Sequence, residues 1–519
     1  MAETELKITL SEESEKALLT HAALERLRTK PRRTQNLVST YYDTPDQALA
    51  RAGLSLRMRK AGRHWVQTIK RAAHDGAAGH GFFAREEAEC PAPGGKLNLE
   101  ASDDTGLHAA VLAAICDQDV APVFQTRVRR ITENLHSPIG SSVELAIDQG
   151  EIIAGEHCAA IREAELELVS GDVRGIFDIA RTLFQKGPLV FSTATKNDRG
   201  YRLARTGMAD APVSPVKAGD LHYTADTAIE TVAQEVFRDC YRQISCNMVV
   251  VGMDLVPEGP HQLRIGLRRL RTALQVLGPM LGGTGLGRLA TEAQRLGRVV
   301  GALRDMDVLI GDVVVPAAAE GLDDRARDGL LAALEQRRET IRTDVRAVLA
   351  EPDTTRFLLD LAELVEARGW LDPSDHAQTV RLATTTGKIA PDLLRACTRK
   401  VRKKARSLDS LDVHQLHELR KQLKKLRYTA DILDPIYGSK KVTTYIRSLK
   451  EMQDTFGSLN DATMATQYLT GPDAPGRDDP DIQRAVGWVL GVLALRVQED
   501  RPKLFRRWKK FAGTRSFWA

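Results

Sequence analysis

Residues 3–7 read Glu3-Thr-Glu-Leu-Lys7, with charged residues at every second position. Neighbouring side chains of a β-strand point to opposite faces, so Glu3, Glu5 and Lys7 would project together. More alternating stretches follow, separated by turns rich in Gly, Pro and Asp, at 54–59, 65–70, 83–89, 125–131, 142–148 and 163–169. This period of two predicts an antiparallel, strand-rich domain over residues 1–205.

Charges of both signs recur on the faces of these strands. A single charged strand is usually the solvated face of a sheet. Carboxylates at alternate positions repel one another, however, unless cations lie between them. If the strands close with the charged face inward, acids and bases line one tunnel. The residues that would meet there are Glu3, Glu5, Lys7, Arg57, Arg59, Lys70, Arg127, Arg129, Glu144, Asp148, Glu163, Glu165 and Glu167.

Such a lining suits a phosphate chain that carries a metal ion. Clustered carboxylates offer the oxygen ligands that Mg²⁺ and similar hard cations prefer. Lysine and arginine bind phosphate oxygens, and arginine can do so through two parallel hydrogen bonds. The pattern therefore predicts a triphosphate substrate bound with Mg²⁺ or Mn²⁺. Hydrolysis would rest on positioning and charge neutralisation while water attacks phosphorus.

The same residues resemble a known family. Glu3-Thr-Glu-Leu-Lys7 matches the E-x-E-x-K signature of the CYTH, or triphosphate tunnel metalloenzyme, superfamily. Supporting segments follow in the family's order at 41–45, 54–59, 67–70, 85–87, 144–148, 163–167 and 196–201. The resemblance implies an eight-stranded antiparallel tunnel, dependence on a divalent metal and a triphosphate substrate.

The resemblance also implies roles for individual residues. Glu3, Glu5, Glu163, Glu165 and Glu167 become metal-side carboxylates. The phosphate-binding cations become Lys7, Arg57, Arg59, Lys70, Arg127, Lys196 and Arg199, and strand alternation adds Arg129. Lys7, Asp148 and Glu87 form the expected catalytic set, with Asp148 near the metal or the attacking water. Strand register decides between Glu87 and its neighbour Glu86.

Beyond a Pro- and Gly-containing linker at 206–220, the sequence becomes helical and contains an internal repeat. His261-Gln-Leu-Arg-Ile-Gly-Leu-Arg-Arg-Leu-Arg271 aligns with His417-Glu-Leu-Arg-Lys-Gln-Leu-Lys-Lys-Leu-Arg427 at an offset of 156 residues. Gly301-Ala-Leu-Arg-Asp305 aligns with Gly457-Ser-Leu-Asn-Asp461 at the same offset. The repeat predicts an all-α domain of two similar helical bundles, at 221–375 and 376–519, and thus an α+β protein overall.

Each copy of the repeat carries a cationic stripe beside its leucine face. The stripes are His261, Arg264, Arg268 and Arg271, and His417, Arg420, Lys424 and Arg427. One basic helix is usually a solvated face, but like charges at this spacing cost about 0.2–0.5 kcal/mol per pair. A stripe that is kept twice therefore indicates an anion site. Aromatic residues are only 5% of the chain, which favours a phosphate polymer over nucleic acid.

The repeat resembles the CHAD family, the conserved histidine α-helical domain. The resemblance rests on the two His-containing stretches with Leu303-Arg-Asp-Met-Asp307 and Leu459-Asn-Asp461, and covers about 221–510. It implies two bundles around a basic pore that binds inorganic polyphosphate. His261 and His417 become the family's histidines, either bonded near the helix N-terminus or in contact with phosphate.

Composition excludes several classes of protein. The 519 residues are 43% hydrophobic and 28% charged, with a net charge of +5, as in ordinary globular domains. The longest apolar stretch, 485–495, is too short to span a membrane and predicts a buried helix. The six cysteines show no C-x-x-C, which favours a reduced cytosol, and no P-loop motif is present. A cytosolic enzyme located on polyphosphate, with no membrane partner, is expected.

Three other functions stay open at this point. The tunnel could grip a polyphosphate end without hydrolysing it. It could act on thiamine triphosphate or nucleotides, including the reaction of an adenylate cyclase, because tunnel motifs are common to these activities. The helical part could be a basic adaptor for nucleic acid. The sequence leaves the substrate, the metal and the oligomeric state undecided.

Overall fold

The computed structural model describes residues 3–72, 81–100, 106–185, 187–253, 255–283, 285–372, 374–406, 408, 411–438 and 440–518. The chain forms two compact units. One holds residues 1–213 with 350–367, and the other holds residues 214–349 with 368–519. Residues 350–367 thus group with the first unit although they lie within the helical part of the sequence. The domain limits expected at 205, 220 and 375 stay predictions.

The first unit is built around long antiparallel strands. Among the described residues they are β1 (Glu3–Thr9), β2 (Arg33–Asp43), β3 (Leu54–Ala61), β4 (His64–Ala72), β5 (Phe82–Pro91), β6 (Ala121–His136), β7 (Ser142–Ala154), β8 (His157–Ser170) and β9 (Val190–Phe191). The order is β5-β4-β3-β2-β6-β7-β8-β1, with β9 beside β1. β5 also pairs with β1, so eight strands close on themselves. The eight-stranded antiparallel tunnel predicted from the sequence is confirmed.

Short helices cover the closed sheet. They are α1 (Glu12–Leu19), α2 (Ala22–Leu27), α3 (Ala48–Arg51), α4 (Leu107–Ile115), α5 (Arg174–Leu183) and α6 (Lys196–Thr206). α6 begins with a capping box, in which the Thr195 hydroxyl accepts the Asp198 N–H and the Asp198 carboxylate accepts the Thr195 N–H. The cap places Lys196 in the first turn of α6.

Aromatic residues fill the interior of the sheet beside α6. The ring of Tyr41 stacks on that of Phe124 with centroids 4.3 Å apart, and Phe124 meets Tyr201 of α6 edge to face at 5.3 Å. A Cβ on Gly200 would lie 2.1 Å from the Phe124 ring, so α6 requires glycine at this contact. Close packing of this kind fixes α6, and with it Lys196, against the sheet.

The rest of the chain is helical. Its helices are α7 (Ile229–Met253), α8 (Glu258–Leu281), α9 (Leu286–Val308), α10 (Val315–Ala318), α11 (Asp324–Leu349), α12 (Pro352–Glu366), α13 (His376–Leu382), α14 (Thr386–Lys404), α15 (Val413–Leu433), α16 (Lys440–Thr470) and α17 (Pro480–Ala512). A π-helical turn, Leu309–Val314, joins α9 to α10. α12 belongs to the first unit, where it packs on α5.

The sequence repeat lies on α8 and α15, which contact each other. α8 packs between α7 and α9, and α15 packs between α14 and α16, so each copy sits in an equivalent set of three helices. The leucines of both copies are buried, as their spacing predicts; they are Leu263, Leu267, Leu270, Leu274, Leu277, Leu419, Leu423, Leu426 and Leu433. Within the described ranges, no helix is both long and apolar enough to cross a membrane.

Candidate active site and anion pocket

Charged side chains of both signs meet inside the closed sheet. Strand register aligns them, because Lys7 lies opposite Glu165, Glu163 opposite Asp148, and Asp148 opposite Arg130. Alternation then puts their side chains on one inner face. We call this group the inner charge cluster; it consists of Lys7, Arg130, Asp148, Glu163 and Glu165 from the strands and Lys196 from α6.

Glu165 is the centre of the inner charge cluster. Nζ of Lys7 lies 2.5 Å from its Oε1, and Nζ of Lys196 lies 2.9 Å from the same atom. The Arg130 guanidinium donates to its Oε2 at 2.7 Å. One buried carboxylate thus contacts three cations that come from three different elements. Charge-assisted hydrogen bonds of this kind fix side-chain geometry.

The other two carboxylates of the cluster are held in the same way. Both oxygens of Asp148 accept from Arg130, at 2.7 and 2.6 Å, and Lys196 lies 2.7 Å from Oδ2. Glu163 accepts a hydrogen bond from Lys196 and lies 3.6 Å from Nζ of Lys7. Donor oxygens of Asp148, Glu163 and Glu165 lie within 4.8 Å of one another. Three carboxylates at this separation provide oxygen ligands of the kind that a hard cation takes.

Opposite charges keep the cluster ionised. Burial alone would raise the pKa of Glu165, but Lys196 and Lys7 lower it well below its usual range. Burial likewise opposes the charge of Asp148, and Lys196 again lowers the pKa overall. Burial would lower the pKa of Lys7, but Glu163 and Glu165 raise it. Each sign of charge thus stabilises the other, and Lys7, Asp148 and Glu165 are charged near neutral pH.

A set of cations on β3 and β4, which we call the cation rung, lies on the same inner face; it consists of Arg57, Arg59 and Lys70. Arg57 donates to the Thr68 hydroxyl at 3.1 Å, while its buried Nε has no hydrogen-bond acceptor among the described residues. Lys70 lies 3.0 Å from Glu87. Burial, together with Arg57 and Arg130, lowers the pKa of Arg59 to about 10. Cations that disfavour one another in this way are suited to bind an anion.

Carboxylates form a further layer of the inner face, the acid rung of Glu5, Glu144 and Glu167. Glu167 on β8 lies opposite Glu5 on β1 and opposite Glu144 on β7. Nζ of Lys7 is 3.8 Å from Glu5. The tunnel therefore presents a row of acids next to the inner charge cluster, on strands that are hydrogen-bonded neighbours.

The second unit contains a cavity of about 760 Å³. Its basic wall comes from the repeated helices α8 and α15 and consists of His261, Arg268, Arg420, Lys424 and Arg427. Nε of Arg420 and Nε of Arg427 are buried with no acceptor within the part of the chain that the structure describes. Burial and Arg268 lower the pKa of Lys424 to about 5. The two buried guanidinium Nε atoms without an acceptor among the described residues could each donate to an anion.

Comparisons with known proteins agree with this arrangement. Residues 1–201 match the family model of the CYTH domain, and residues 235–470 match that of the CHAD domain. The chain carries a CYTH domain followed by a CHAD domain. The CHAD part also resembles the crystal structure of the CHAD domain from the plant Ricinus communis, with 24% identity and a TM-score of 0.50 over 58% of this chain and 98% of that one.

Two sequence relatives differ in how much of the chain they match. An inorganic triphosphatase of Haemophilus influenzae is 35% identical over 172 residues, 33% of this chain and 47% of that protein. The match thus spans about half of that relative's length. An uncharacterized protein of Mycobacterium tuberculosis is 26% identical over 488 residues, 86% of this chain and 84% of that protein.

Most residues predicted for the CYTH tunnel share its inner face. They are Glu5, Lys7, Arg57, Arg59, Lys70, Glu87, Asp148, Glu163, Glu165, Glu167 and Lys196. Lys70 pairs in register with Glu87, whereas Glu86 contacts Arg71. Glu3 lies in β1, but its side chain falls outside the described residues. The roles assigned to these residues stay predictions.

Two predicted cations do not lie in the tunnel, and a third makes contacts with other groups. Arg127 and Arg129 are exposed on the outer face of β6, where Arg127 lies 4.0 Å from Glu151. Their expected position in the tunnel is wrong because the register turns the other residues of β6 inward. The Arg199 guanidinium donates to Asp210 at 2.7 and 3.0 Å and to the Ala160 carbonyl at 2.8 Å, and its expected role in phosphate binding stays a prediction.

Arg130 is the tunnel cation that the sequence pattern did not indicate. It alternates with Arg129 and has the parity of Phe124 and Val128, which are buried apolar residues. The charged alternation of Arg127 and Arg129 was therefore a solvated face. Buried apolar residues lie on both parities of β6, since Ile131 and Leu135 share the parity of Arg129, so only the register against the neighbouring strands identifies Arg130.

The CHAD stripes are only partly brought together. His261, Arg268, Arg420, Lys424 and Arg427 line the cavity. Three stripe residues make other contacts: Arg264 bonds the Gly301 carbonyl and Asp305, Arg271 donates to Gln294, and exposed His417 lies beside Asn460. Acids also line the cavity, a feature the stripes alone did not indicate; they are Asp312, Asp454, Asp461, Glu499 and Asp500.

Proposed function

We propose that the CYTH domain hydrolyses inorganic triphosphate with Mg²⁺ or Mn²⁺, and that the CHAD domain binds inorganic polyphosphate. The observation that carries the first part is the inner charge cluster, where three carboxylates and three cations meet beside the cation rung. A tunnel that offers both metal ligands and phosphate ligands fits a metal-bound triphosphate. The identity to an inorganic triphosphatase supports this substrate.

The carboxylates of the tunnel suit a divalent metal. Asp148, Glu163 and Glu165 present oxygens within 4.8 Å of one another, and Glu5 and Glu167 lie in register next to them. These residues would hold the ion. When bound, Mg²⁺ or Mn²⁺ would neutralise phosphate oxygens and lower the pKa of a coordinated water.

The cation rung would position the phosphate chain. Among the described residues, no acceptor meets the buried Nε of Arg57, and a guanidinium can bind two phosphate oxygens at once. Arg59 and Lys70 extend the cationic surface along neighbouring strands. Neutralising charge as it moves between phosphoryl oxygens is the main catalytic task in phosphoryl transfer.

The carboxylates near the phosphate chain have different tasks. Both oxygens of Asp148 accept from Arg130, so Asp148 positions that guanidinium. Glu87 lies on the cation rung, 3.0 Å from Lys70 and 3.9 Å from Arg57. Water attacks the terminal phosphorus, diphosphate leaves, and Glu87 accepts the proton that water loses.

A panel of substrates tests this proposal. Phosphate release from inorganic triphosphate, thiamine triphosphate and ATP is measured with Mg²⁺, with Mn²⁺ and with a chelator, and cyclic AMP is assayed alongside. Fastest release from inorganic triphosphate, and none with chelator, is expected. Cyclic AMP as the main product, or binding without turnover under every metal, would contradict the proposal.

The CHAD part of the proposal rests on the basic wall of the cavity. Arg420 and Arg427 each carry a buried Nε without an acceptor among the described residues, on the wall that includes Lys424. Binding of labelled polyphosphate to the full chain, with DNA as competitor, tests it. Arg420→Gln should weaken binding, whereas Arg399→Gln, at an exposed position on α14, should not. Displacement by DNA at equal phosphate concentration would contradict the assignment.

A further inference from the structure

Lys424 is the position at which the second cationic stripe departs from the first. The offset of 156 residues aligns it with Arg268, and apart from the two histidines every other stripe residue is an arginine. An arginine stays protonated in proteins, whereas a lysine can lose its proton when it is enclosed among cations. Among the stripe residues other than the two histidines, Lys424 is thus the one whose charge can change.

The surroundings of Lys424 are cationic on both helices that form the basic wall. Arg264 and Arg268 face it from α8, and Arg420 and Arg427 flank it on α15. Asp461 of α16 interacts with it electrostatically, and burial opposes the charge of that carboxylate as well. The remaining charged residues that line the cavity are His261, Asp312, Asp454, Arg496, Glu499, Asp500 and Lys503.

Two of the acids in the cavity make contacts with residues other than Lys424. Asp500 accepts from the Ser458 hydroxyl at 2.7 Å and from Lys503 at 2.9 Å. Asp312 lies 3.7 Å from Arg304. Burial and the four arginines accordingly lower the pKa of Lys424 to about 5, so its amine is neutral near neutral pH. Phosphate oxygens placed against Nζ would reverse the balance in favour of the ammonium.

We propose that anion binding in the CHAD cavity is coupled to proton uptake: a polyphosphate segment binds together with one proton, which comes from solvent and is held on Nζ of Lys424. This inference rests on the proposed binding of polyphosphate. By linkage, each proton taken up makes affinity rise about tenfold per pH unit as pH falls through the neutral range. His261 lines the same cavity and can add to the uptake, so the variants must separate the two groups.

Calorimetric titration of the full chain with long-chain polyphosphate tests the coupling. Titrations in two buffers that differ in ionisation enthalpy, at one neutral pH and with a chelator present, give the number of protons taken up. The wild type should take up close to one proton more than Lys424→Arg, which carries the residue of the first repeat. The same difference should remain when both of these proteins also carry His261→Gln. Proton uptake by the polymer ends or by the tunnel is the same in the wild type and in the variants, so it cancels in the comparison.

Equal uptake by the wild type and Lys424→Arg would overturn the coupling while leaving polyphosphate binding intact. Loss of binding altogether would overturn the proposed polyphosphate site first, and the two failures are therefore distinguishable. A second measurement is the pH profile of amine acylation, read for each lysine by mass spectrometry. Lys424 should reach its maximal rate near neutral pH and be protected by polyphosphate. A profile that rises up to alkaline pH, as for exposed Lys403, would contradict the proposal.

Discussion

Lys7 of β1 and Glu165 of β8 are direct partners in the strand ladder, and Nζ of Lys7 lies 2.5 Å from Oε1 of Glu165. The pair is buried at the centre of the inner charge cluster and shares Glu165 with Lys196 and Arg130. Replacing one member of such a network leaves buried charges without a partner, which costs several kcal/mol in comparable cases, about 3–5. We therefore expect substitutions in the inner charge cluster to affect both stability and the proposed hydrolysis.

The first prediction concerns Glu165→Gln. Loss of one carboxylate should lower the rate of triphosphate hydrolysis by about two to three orders of magnitude, as for other groups that organise charge in a reacting site. Circular dichroism should show that the variant is folded at room temperature, with a lowered Tm. Full activity in the folded variant would contradict the role of the cluster.

The second prediction compares two neighbouring arginines. Arg130→Gln removes the bidentate contact to Asp148, so kcat/KM should fall by about a hundredfold or more. Arg129→Gln changes an exposed side chain on the opposite face of the same strand and should leave kcat/KM unchanged. Equal effects of the two substitutions would show that β6 is in another register.

The third prediction follows from the lowered pKa of Glu165. The stabilisation it provides is present above the ordinary glutamate value of 4.5 and is lost as pH falls through the lower pKa of the folded state. The difference in Tm between the wild type and Glu165→Gln should thus be constant near neutral pH and shrink in strong acid. A difference that grows on acidification would contradict the ion-pair assignment.

The fourth prediction concerns Lys424, whose replacement should change the Tm in the opposite direction to the replacement of Glu165. The folded pKa of Lys424 is about 5, far below the ordinary lysine value of 10.5, so the folded state loses a proton that the unfolded state keeps. The contribution of Lys424 to the free energy of unfolding therefore rises with pH between those two values. Lys424→Met should therefore raise the Tm by a few degrees near neutral pH, with a gain that declines in alkali. A constant gain would indicate a packing effect.

The fifth prediction concerns α12. Arg181 of α5 donates to Asp360 at 3.1 Å and to Glu363 on α12, and to Asp178 on its own helix at 2.6 Å. Arg181→Met leaves these half-buried carboxylates without their shared cation. It should lower the Tm of the CYTH unit in the full chain, whereas Arg174→Met, more exposed on the same helix, should not. Unchanged stability would show that the contact contributes nothing.

The tunnel could be predicted because the alternation of charged residues within each strand indicates which side chains share a face. Alternation of carboxylates and cations in 3–7, 54–59 and 163–169 predicted the shared face, and closure of the sheet confirms it. Alternation failed on β6, where both parities carry arginine and both carry buried apolar residues, Phe124 and Val128 on one and Ile131 and Leu135 on the other. Register, which is set by all the strands together, decides such a case.

Contacts between distant segments were beyond the reach of local patterns. The bond from Arg199 to Asp210 depends on how the chain turns after α6, and the grouping of α12 with α5 joins segments far apart in sequence. In the helical part, the leucine spacing predicted the buried faces of α8 and α15. It gave no indication of Asp454, Glu499 and Asp500, which line the cavity but lie outside the repeated segments, whereas Asp461 lies within one of them.

The central claim is that opposite charges meeting inside the closed sheet make it a metal-dependent triphosphatase. Phosphate release from inorganic triphosphate by the wild type, with Mg²⁺ or Mn²⁺ and then with excess chelator, tests it most directly. We expect one phosphate and one diphosphate per triphosphate with metal, and no release after chelation. No release with either metal, from a folded protein that binds triphosphate, would contradict the claim.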